Sequence, residues 1–357
     1  MKVTKMDTNI RVNHEDLKQY VTEIFIGAGL NSRKSQMVAE HLTKANLRGI
    51  DSHGVTRVRN YTDRLRSGVV NHDQDVKIVK DSPAAALIDG CNQLGILTAT
   101  DAMNIAIKKA KDNGIAIVGV KNSNHCGMLA DYTQRAAEED CVSLVTTNAP
   151  PNMAPWGGRE RYFGTNPISY GIPGYQGKNI IFDMATSVVA RGKIKLALKN
   201  NEEIPLGWAI TKEGKPTTNP EEAMGGVVLP VGGPKGYGLA FYVEVLSGLL
   251  TGASFGPYLG RPEDLSTTQD IGHFFFVMRA DVFEDIEVFK ERMSQLSEDI
   301  KKVPLAQGFE KIYLPGEIEA NHLIERKENG IPLSKGVLEE LQSLGQVYNT
   351  KCKLSRV

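Results

Sequence analysis

The sequence predicts an α/β protein of about two domains, and three observations lead to this fold class. Segments with strand patterning alternate with segments of helical periodicity from residue 76 onward, which is typical of an α/β sheet. The chain has 357 residues, which exceeds the length at which a single hydrophobic core stops growing. Its hydrophobic fraction of 41% suits a packed core and argues against a disordered chain.

The charge and cysteine content exclude several classes of protein. The 42 Lys and Arg residues balance 42 Asp and Glu residues, whereas nucleic-acid-binding proteins usually carry a basic excess. Residues 1–20 lack the apolar run of a secretion signal, and no stretch approaches the roughly 18 apolar residues of a spanning helix. The four cysteines form no C-x-x-C pair, which predicts free thiols in a reducing compartment. We therefore expect a cytoplasmic protein with no metal, nucleic-acid or membrane partner.

The N-terminal third of the chain predicts three helices. The first follows Asn13, a favourable N-cap residue, and keeps apolar residues at helical spacing until Gly27. The second begins near Ser32 and ends at Gly49. The third is expected to begin near residue 54 and to end at Gly68.

The rest of the chain predicts alternating strands and helices. Strands are expected at 76–80, 84–89, 115–120, 142–148, 168–173, 180–185 and 273–280, and helices at 95–112, 128–139, 187–199, 237–250, 287–302 and 334–345. Residues 149–167 form a long irregular stretch, which in a compact domain is usually functional, and its aromatic residues argue against disorder. Residues 236–260 are apolar apart from Glu244, and we expect a buried core helix followed by a loop.

Several common functional motifs are absent. The sequence has no G-x-G-x-x-G between a strand and a helix and no G-x-x-x-x-G-K-[ST] loop. In GIDSHG (49–54), Ser52 stands one position too late for a nucleophile elbow. In HEDLK (14–18), Lys18 occupies the place of the second histidine of a zinc-binding H-E-x-x-H helix.

His53, Arg57 and Tyr61 are the first candidate site. Their spacing of four residues would place them on one face of a helix. An imidazole can move a proton near neutral pH, and a guanidinium can bind a carboxylate through two parallel hydrogen bonds. Together with a phenol, these groups suit a small carboxylic acid. The alternative is a surface stripe in which Arg57 is solvated and Tyr61 packs in the core.

His125 is the second candidate, in the turn NSNHCG (122–127) that follows the buried strand 115–120. A polar turn at the carboxyl end of a central strand is a common ligand site in α/β proteins. The alternative is a structural histidine satisfied by the backbone of the turn. A nucleophilic pair with Cys126 is disfavoured, because chain neighbours rarely face one another.

Two further segments contain candidate residues. Asp183 in FDMATS (182–187) ends an apolar strand and could orient a histidine or cap the helix that follows. Lys235 lies among four glycines in GGPKGYG (232–238), whose flexible backbone and N–H groups suit a phosphate. A plain connecting loop is the alternative for this second segment.

The chain resembles the malate/L-lactate dehydrogenase family of NAD(P)-dependent 2-hydroxyacid oxidoreductases. The resemblance rests on RGIDSHGVTRV (48–58), NHCG (124–127), FGTNP (163–167), FDMATS (182–187), GPKGYGL (233–239) and YLPGE (313–317), which keep the family's order over nearly the whole chain. It implies an α/β fold in which the family's own non-Rossmann NAD(P)-binding domain, with a mixed sheet, covers residues 76–284. It also implies a helical region from 1–75 and 285–357 for dimerisation and substrate binding, in a homodimer with active sites at the subunit interface.

The resemblance also implies roles for individual residues. His53 and His125 match two histidines assigned acid/base work, with Asp183 in the catalytic group. Arg57 matches the residue that binds the substrate carboxylate, and Ser52 and Tyr61 match nearby substrate-binding positions. The positions that match cofactor contacts are His53, Asn148, Asp183, Met184, Ala185, Lys235, Gly236, Gly316 and Glu317.

The activity implied by the resemblance is hydride transfer between NAD(P)H and a small 2-oxo or 2-hydroxy acid. We expect malate/oxaloacetate or lactate/pyruvate, with malate favoured, because nothing in the sequence suggests a larger pocket. Ureidoglycolate, sulfolactate or diketogulonate is the alternative substrate within the family, and a hydrolase, a lyase or a non-catalytic sensor of a small acid is the alternative outside it. NAD is the expected cofactor, and NADP stays open because Arg191 and Lys193 could meet a 2′-phosphate.

Overall fold

The computed structural model describes residues 10–355 and 357. The α-helices in this part of the chain are α1 (His14–Gly27), α2 (Ser32–Leu47), α3 (Val58–Arg66), α4 (Gly95–Asn113), α5 (Ala130–Glu138), α6 (Arg191–Asn200), α7 (Pro220–Gly225), α8 (Pro234–Glu244), α9 (Ile286–Lys302), α10 (Glu317–Asn329) and α11 (Lys335–Val347). The strands are β1 (Ile10–Val12), β2 (Lys77–Ser82), β3 (Ala85–Asp89), β4 (Ile115–Ser123), β5 (Cys141–Thr147), β6 (Ile168–Ile172), β7 (Ile180–Met184), β8 (Ala209–Ile210), β9 (Pro216–Thr217), β10 (Val227–Val228), β11 (Ile271–Arg279) and β12 (Ile331–Leu333).

The chain divides into two compact units. The central unit is Gln74–Pro315, and the described residues on either side of it form the terminal unit. The second boundary therefore lies at Pro315, later than the residue 284 that the sequence suggested. The helix α9 belongs to the central unit, where Lys290 Nζ pairs with Asp140 Oδ1 at 2.7 Å.

The terminal unit is mainly helical. Asn13 caps α1 as predicted, because its side-chain oxygen accepts hydrogen bonds from the N–H groups of Glu15 and Asp16. The apolar face of α1 is fully buried through Leu17, Val21, Ile24 and Phe25. Strand β1 pairs antiparallel with β12, which joins the N-terminal and C-terminal segments of this unit.

A seven-stranded mixed sheet forms the centre of the central unit, in the order β2-β3-β4-β11-β5-β6-β7. Strands β3 and β4 are parallel, and the other neighbouring pairs are antiparallel. The late strand β11 lies between β4 and β5, and its Phe275 packs in one core with Val118, Val145 and the apolar faces of α4 and α5. The predicted α/β fold with a mixed sheet is confirmed.

The irregular stretch 149–167 is ordered, as its aromatic content predicted. Met153 and Phe163 form an isolated antiparallel bridge, and both side chains are buried. They share a second apolar cluster with Ile194 of α6 and Ala240 of α8. This cluster fixes the stretch beside the two helices whose first turns carry Arg191 and Lys235.

Two helix predictions were partly wrong. Helix α6 begins at Arg191 instead of residue 187, because Ser187 bridges to Pro230 and the Val188 N–H donates to the Leu229 carbonyl. Helix α8 begins at Pro234, and after Glu244 the chain continues as a π-helical turn, Val245–Leu249.

The expected burial of α8 was also partly wrong. Gly236, Ala240, Val243 and Glu244 are buried, but the side chains of Leu239, Phe241 and Tyr242 are 39%, 52% and 55% exposed. Among the described residues, no helix is both long and apolar enough to cross a membrane.

Candidate active site

The segment Asp51–Arg57 is a pair of short 3-10 turns, Asp51–His53 and Val55–Arg57, that meet at Gly54. The regular helix α3 begins only at Val58. The prediction of one helix through His53, Arg57 and Tyr61 was therefore wrong. Gly54 interrupts the helical geometry with φ −92° and ψ −145°, and the following N–H, that of Val55, donates to Asn46 Oδ1 of α2.

The two turns still bring the predicted polar groups together. Ser52 Oγ and His53 Nδ1 share a hydrogen bond of 2.9 Å, and Arg57 Nε donates to the Ser52 carbonyl at 2.7 Å. The two Nη groups of Arg57 have no hydrogen-bond partner within residues 10–355 and 357. They therefore retain the fork geometry with which a guanidinium binds a carboxylate.

His53 is held as a neutral imidazole. Burial lowers its pKa to about 3, and the positive charges of Arg57 and His41 act in the same direction. A neutral ring beside an unpaired guanidinium can hydrogen-bond a ligand without repelling the cation. This electrostatic setting suits an anionic ligand with a neighbouring hydroxyl or carbonyl oxygen.

Asn46 of α2 fixes the position of Gly54, and sequence reasoning missed it. Its Oδ1 accepts from the Val55 N–H at 2.8 Å, and a Cβ added at Gly54 would lie 2.1 Å from the same oxygen. A side chain at position 54 would push the turn away from α2. The glycine of the S-H-G motif is thus required by a close contact.

The other candidates of the terminal unit lie in two places. Tyr61 belongs to α3 and its side chain is buried, with 3% exposed. Gly316 is the N-cap residue of α10 in the left-handed conformation, φ +79°, and Glu317 is the first residue of that helix. Their roles toward a cofactor remain predictions.

His125 lies in a turn that is fixed from three sides. Its own N–H donates to Gln269 Oε1 at 3.2 Å, and the neighbouring Asn124 side chain donates to Asn92 Oδ1 and to the Gln93 carbonyl. A Cβ added at Gly95 would lie 1.9 Å from the Asn124 carbonyl oxygen, so α4 begins in direct contact with this turn. The turn is therefore rigid, which a catalytic histidine requires.

The ring of His125 is oriented by its own turn. The Gly127 N–H donates to Nδ1 at 3.3 Å, which makes Nε2 the protonated nitrogen of the neutral ring. Cys126 is fully buried, and burial raises the pKa of its thiol to about 12. A thiol in this state is a poor nucleophile, in agreement with the expectation that Cys126 and His125 form no catalytic pair.

Asp183 caps a helix, but a different one from the helix that the sequence suggested. Its Oδ2 accepts from the N–H of Ala130, the first residue of α5, at 2.8 Å. The helix that follows Asp183 in sequence instead has Ala190 as its N-cap residue, with no side-chain cap. Asp183 thereby links the strand β7 to the segment that follows His125.

Thr186 ties three of the sequence motifs together. Its N–H and Oγ1 donate to the Thr165 carbonyl of FGTNP at 2.9 and 3.1 Å. Its own carbonyl accepts from the Val231 N–H in the loop that precedes α8. FDMATS, with Met184 and Ala185, therefore lies against both FGTNP and the start of GPKGYGL.

Asn148 belongs to a buried polar network. Its Nδ2 donates to the Ser254 carbonyl and to Glu244 Oε1, and its Oδ1 accepts from the Gly272 N–H. Glu244 also accepts from Asn166 Nδ2 at 2.6 Å. The Asn148 side chain is committed to these contacts, so the predicted cofactor contact would have to come from its backbone.

The buried contact between Glu244 and Asn166 was not predicted from the sequence. The sequence signal for it is a carboxylate within the apolar stretch 236–260. Since a buried carboxylate must be hydrogen-bonded, a lone Glu in an apolar helix predicts such a network.

Lys235 is exposed in the first turn of α8, and its ammonium has no partner within residues 10–355 and 357. The N-cap residue Gly233 has φ +64°, a conformation that favours glycine. A Cβ added at Gly236 would lie 2.0 Å from the Val231 carbonyl oxygen, so this glycine lets the preceding loop fold onto the helix.

His273 is a buried histidine that sequence reasoning did not consider. Its Nδ1 and Nε2 each lie 2.8 Å from a hydroxyl oxygen, on Thr147 and Ser123 respectively. Thr147 Oγ1 also donates to the Gly272 carbonyl at 3.0 Å, so the His273 Nδ1–H donates to Thr147 and Nε2 accepts from Ser123. This neutral ring joins the ends of β4 and β5, immediately before His125 and Asn148.

We predict that His273 makes the protein sensitive to acid. Burial lowers its pKa to about 3, whereas an unfolded histidine titrates near 6.5. As the pH falls from 6.5 toward 3, the unfolded state gains a proton that the folded state cannot accept, so the free energy of unfolding decreases. Between pH 7.5 and 5 the loss from this group is about 2 kcal/mol.

Urea unfolding of wild type and His273→Gln at pH 7.5 and pH 5 measures this contribution. The variant should lose about 2 kcal/mol less than wild type over that interval. The exposed His72 provides the control, since His72→Gln should leave the pH dependence unchanged. Equal pH dependence in wild type and His273→Gln would contradict the prediction.

Comparison with known proteins identifies the family. The sequence profile of the malate/L-lactate dehydrogenase family matches residues 12–342. The chain belongs to the malate/L-lactate dehydrogenase family. It is 39% identical to malate dehydrogenase of Pyrococcus horikoshii over 94% of this chain and 95% of that protein. It is 34% identical to the NAD⁺-dependent ureidoglycolate dehydrogenase of Escherichia coli K12 over 96% of this chain and 97% of that protein.

The fold comparison agrees with this assignment. The solved sulfolactate dehydrogenase of Methanocaldococcus jannaschii superposes with a TM-score of 0.90 at 37% identity, covering 95% of this chain and 98% of that one. Members of the malate/L-lactate dehydrogenase family are NAD(P)-dependent 2-hydroxyacid dehydrogenases, so the chain is an oxidoreductase. The relatives are named for three different acids, so the assignment gives the reaction class without the substrate.

The start of α8 fits the phosphate groups of the family's dinucleotide cofactor. The first N–H groups of a helix lack intrahelical partners, and they attract anions together with the positive end of the helix dipole. The unpaired ammonium of Lys235 adds a full positive charge at the same place. Lys235 and the backbone at Gly236 are therefore able to hold a phosphate.

Arg191 has a structural role in this family member. Its Nη2 donates to the Met224 carbonyl at 2.6 Å, and its Nη1 donates to Asn152 Oδ1 at 3.3 Å. Arg161 Nη2 donates to the same Met224 carbonyl. Both guanidinium groups therefore lie at the carboxyl end of α7, where cations are favourable.

Proposed function

We propose that this protein is an NAD-dependent oxidoreductase that interconverts a small 2-hydroxy acid and its 2-oxo acid, with malate/oxaloacetate as the leading pair. The family assignment gives the reaction class, and one observation supports a small acid as the substrate. Arg57, whose two Nη groups have no partner among the described residues, lies in the same turn as a neutral histidine. The ligand that matches this arrangement is a small carboxylate bearing a neighbouring oxygen.

Arg57 binds the substrate carboxylate in this proposal. Its Nε is already held by the Ser52 carbonyl, so the orientation of the two Nη groups is set before the substrate arrives. Preorganised binding of the carboxylate places C2 for reaction and lowers the entropic cost of reaching the transition state. Ser52 and Tyr61 complete the proposed substrate-binding group.

His125 is the proposed proton carrier. The bound nicotinamide accepts or supplies the hydride. In the reduction, the protonated form of His125 gives a ring proton to the developing C2 oxygen and becomes neutral, and in the oxidation the neutral ring receives the hydroxyl proton. His53 stays neutral and hydrogen-bonds the substrate beside Arg57, since its low pKa makes it a weak base.

The proposed cofactor group consists of the positions that match the family's cofactor contacts. In the central unit it comprises Asp183, Met184, Ala185, Lys235, Gly236 and the backbone of Asn148, and in the terminal unit His53, Gly316 and Glu317. NAD is preferred to NADP in this proposal, because Arg191 is committed to the end of α7 instead of to a ligand. Lys193 is exposed and offers one cation at most.

A homodimer is the proposed assembly. Leu239, Phe241 and Tyr242 of α8, with Leu249 and Leu250 beyond it, are 39% to 63% exposed, and such apolar faces are typical of subunit interfaces. Light scattering should give a mass of twice 39.1 kDa.

A paired screen of acids and cofactors tests the function. The screen measures reduction of oxaloacetate, pyruvate, sulfopyruvate and 2,3-diketogulonate with NADH and with NADPH in parallel. It also measures oxidation of ureidoglycolate with NAD⁺ and with NADP⁺. We expect the highest kcat/KM with oxaloacetate and NADH. A higher value with sulfopyruvate or ureidoglycolate would overturn the substrate, and failure to bind NADH or NADPH in a fluorescence titration would overturn the proposed function.

A further inference from the structure

Arg326 of α10 forms a two-point ion pair with Asp51 at the start of the turn that carries His53. Arg326 Nη1 lies 2.7 Å from Asp51 Oδ1, and Nη2 lies 3.2 Å from Oδ2. The Arg326 side chain is only 11% exposed, whereas that of Asp51 is 46% exposed. A planar guanidinium bound to both carboxylate oxygens fixes the orientation of its partner as well as its distance.

Hydrogen bonds of Asn46 connect this ion pair to the rest of the turn. Asn46 Nδ2 donates to Asp51 Oδ1 at 2.6 Å, and Arg326 Nη1 donates to the Asn46 carbonyl. The same Asn46 side chain accepts from the Val55 N–H. The contacts of Arg326, Asp51 and Asn46 therefore hold both 3-10 turns, one on each side of Gly54.

The turn has little internal means of fixing its own geometry. Each 3-10 turn is three residues long and lacks a side-chain cap. Within it, Thr56 Oγ1 donates to the Asp51 carbonyl at 2.9 Å and Arg57 Nε donates to the Ser52 carbonyl. Both of these bonds depend on where the backbone of residues 51 and 52 lies, and Arg326 binds the Asp51 side chain that this backbone carries.

We propose that Arg326 is a positioning residue that, through Asp51 and Asn46, sets the orientation of His53 and Arg57 for substrate binding and turnover. The inference rests on the proposed function, which assigns His53 and Arg57 to the substrate. Arg326 and Asp51 are 275 positions apart, so the contact joins the two ends of the chain. A displacement of about 1 Å in a positioned catalytic group can lower the rate about 10²-fold.

Steady-state kinetics of Arg326→Gln and Arg326→Lys test the proposal. We expect Arg326→Gln to lower kcat/KM for the acid about 10- to 100-fold, with a raised KM, while the Kd for NADH stays unchanged. Arg326→Lys keeps the charge but loses the two-point contact. Compared with Arg326→Gln, it should therefore restore the melting temperature more fully than kcat/KM.

The matched control is Arg11→Gln. Arg11 also binds the carboxyl end of α10, through the Gly330 carbonyl and Glu325 at 2.8 and 2.7 Å, but it makes no contact with the 51–57 turn. This variant should keep wild-type kcat/KM. A purely structural role for Arg326 would instead give similar small effects in both variants, or a loss that thermal melting fully accounts for.

Two further measurements separate this inference from the proposed function. If Arg326 acts through Arg57, the double variant Arg326→Gln/Arg57→Gln should be scarcely worse than Arg57→Gln alone, whereas multiplied losses would overturn the proposal. The His53 Cε1–H resonance in NMR spectra should shift in Arg326→Gln and not in Arg11→Gln. Absence of that shift would overturn the role of Arg326, and this test does not require activity. If wild type turned over none of the acids, only the proposed function would be overturned.

Discussion

Replacing His125 by Gln is expected to lower kcat about 10²- to 10⁴-fold, the contribution of a positioned general acid or base. Glutamine can still hydrogen-bond the turn but cannot transfer a proton at neutral pH. The surrounding turn is held by Gln269, by Asn124 and by the close approach of α4, so the variant should fold. Stopped-flow or steady-state NADH oxidation with the preferred 2-oxo acid measures the effect.

The control for this variant is His72→Gln. The His72 side chain is 40% exposed and its Nδ1 lies 2.8 Å from Oδ1 of the neighbouring Asp73, so this change should leave kcat at the wild-type value. A His125→Gln variant with near-normal turnover would move the proton-transfer role to another group. If His53→Gln then lost turnover, His53 would be the proton carrier in spite of its low pKa.

Replacing Arg57 by Gln is expected to lower kcat/KM for the acid about 10²- to 10³-fold, chiefly through a raised KM. Truncating one member of a hydrogen-bonded charge pair typically costs about 2–5 kcal/mol. Arg57→Lys should recover only part of the loss, because an ammonium lacks the planar fork that binds both carboxylate oxygens. Kinetics over a wide range of acid concentrations separate the effects on KM and kcat.

Arg59→Gln is the control for the Arg57 variants. Arg59 lies two residues later and pairs with Glu340 at 2.6 Å with its side chain 39% exposed. Surface pairs of this kind contribute little, so kcat/KM should stay near wild type. Similar losses in Arg57→Gln and Arg59→Gln would show that general positive charge, and not a specific carboxylate contact, supports the activity.

Local patterns predicted most of the regular structure. The cap at Asn13 and the apolar spacing of α1 are properties of a few neighbouring residues, and the structure confirms them. The motif NHCG could be placed on a turn for the same reason, whereas most of GPKGYGL lies within α8. Patterns failed where a long-range contact overrides local preference, as at Gly54, where the approach of Asn46 replaces a continuous helix by two short turns.

In the candidate site, too, local features could be predicted from the sequence and long-range contacts could not. His53, Arg57, His125 and Lys235 could be proposed from the sequence because their side-chain chemistry and motifs are local. Glu244 could have been suspected as a buried carboxylate, but its partner Asn166 lies in the irregular stretch, and no spacing rule connects them.

By itself, the sequence determined the fold class, the reaction class through its family motifs, and the identity of the main polar groups. These properties depend on residue type and on short-range order, which periodicity and motifs record. The tertiary structure decided that β11 lies between β4 and β5, and that Arg326 holds the turn of His53. The physical reason is that burial and two-point hydrogen bonding act between residues that are close in space, whatever their separation along the chain.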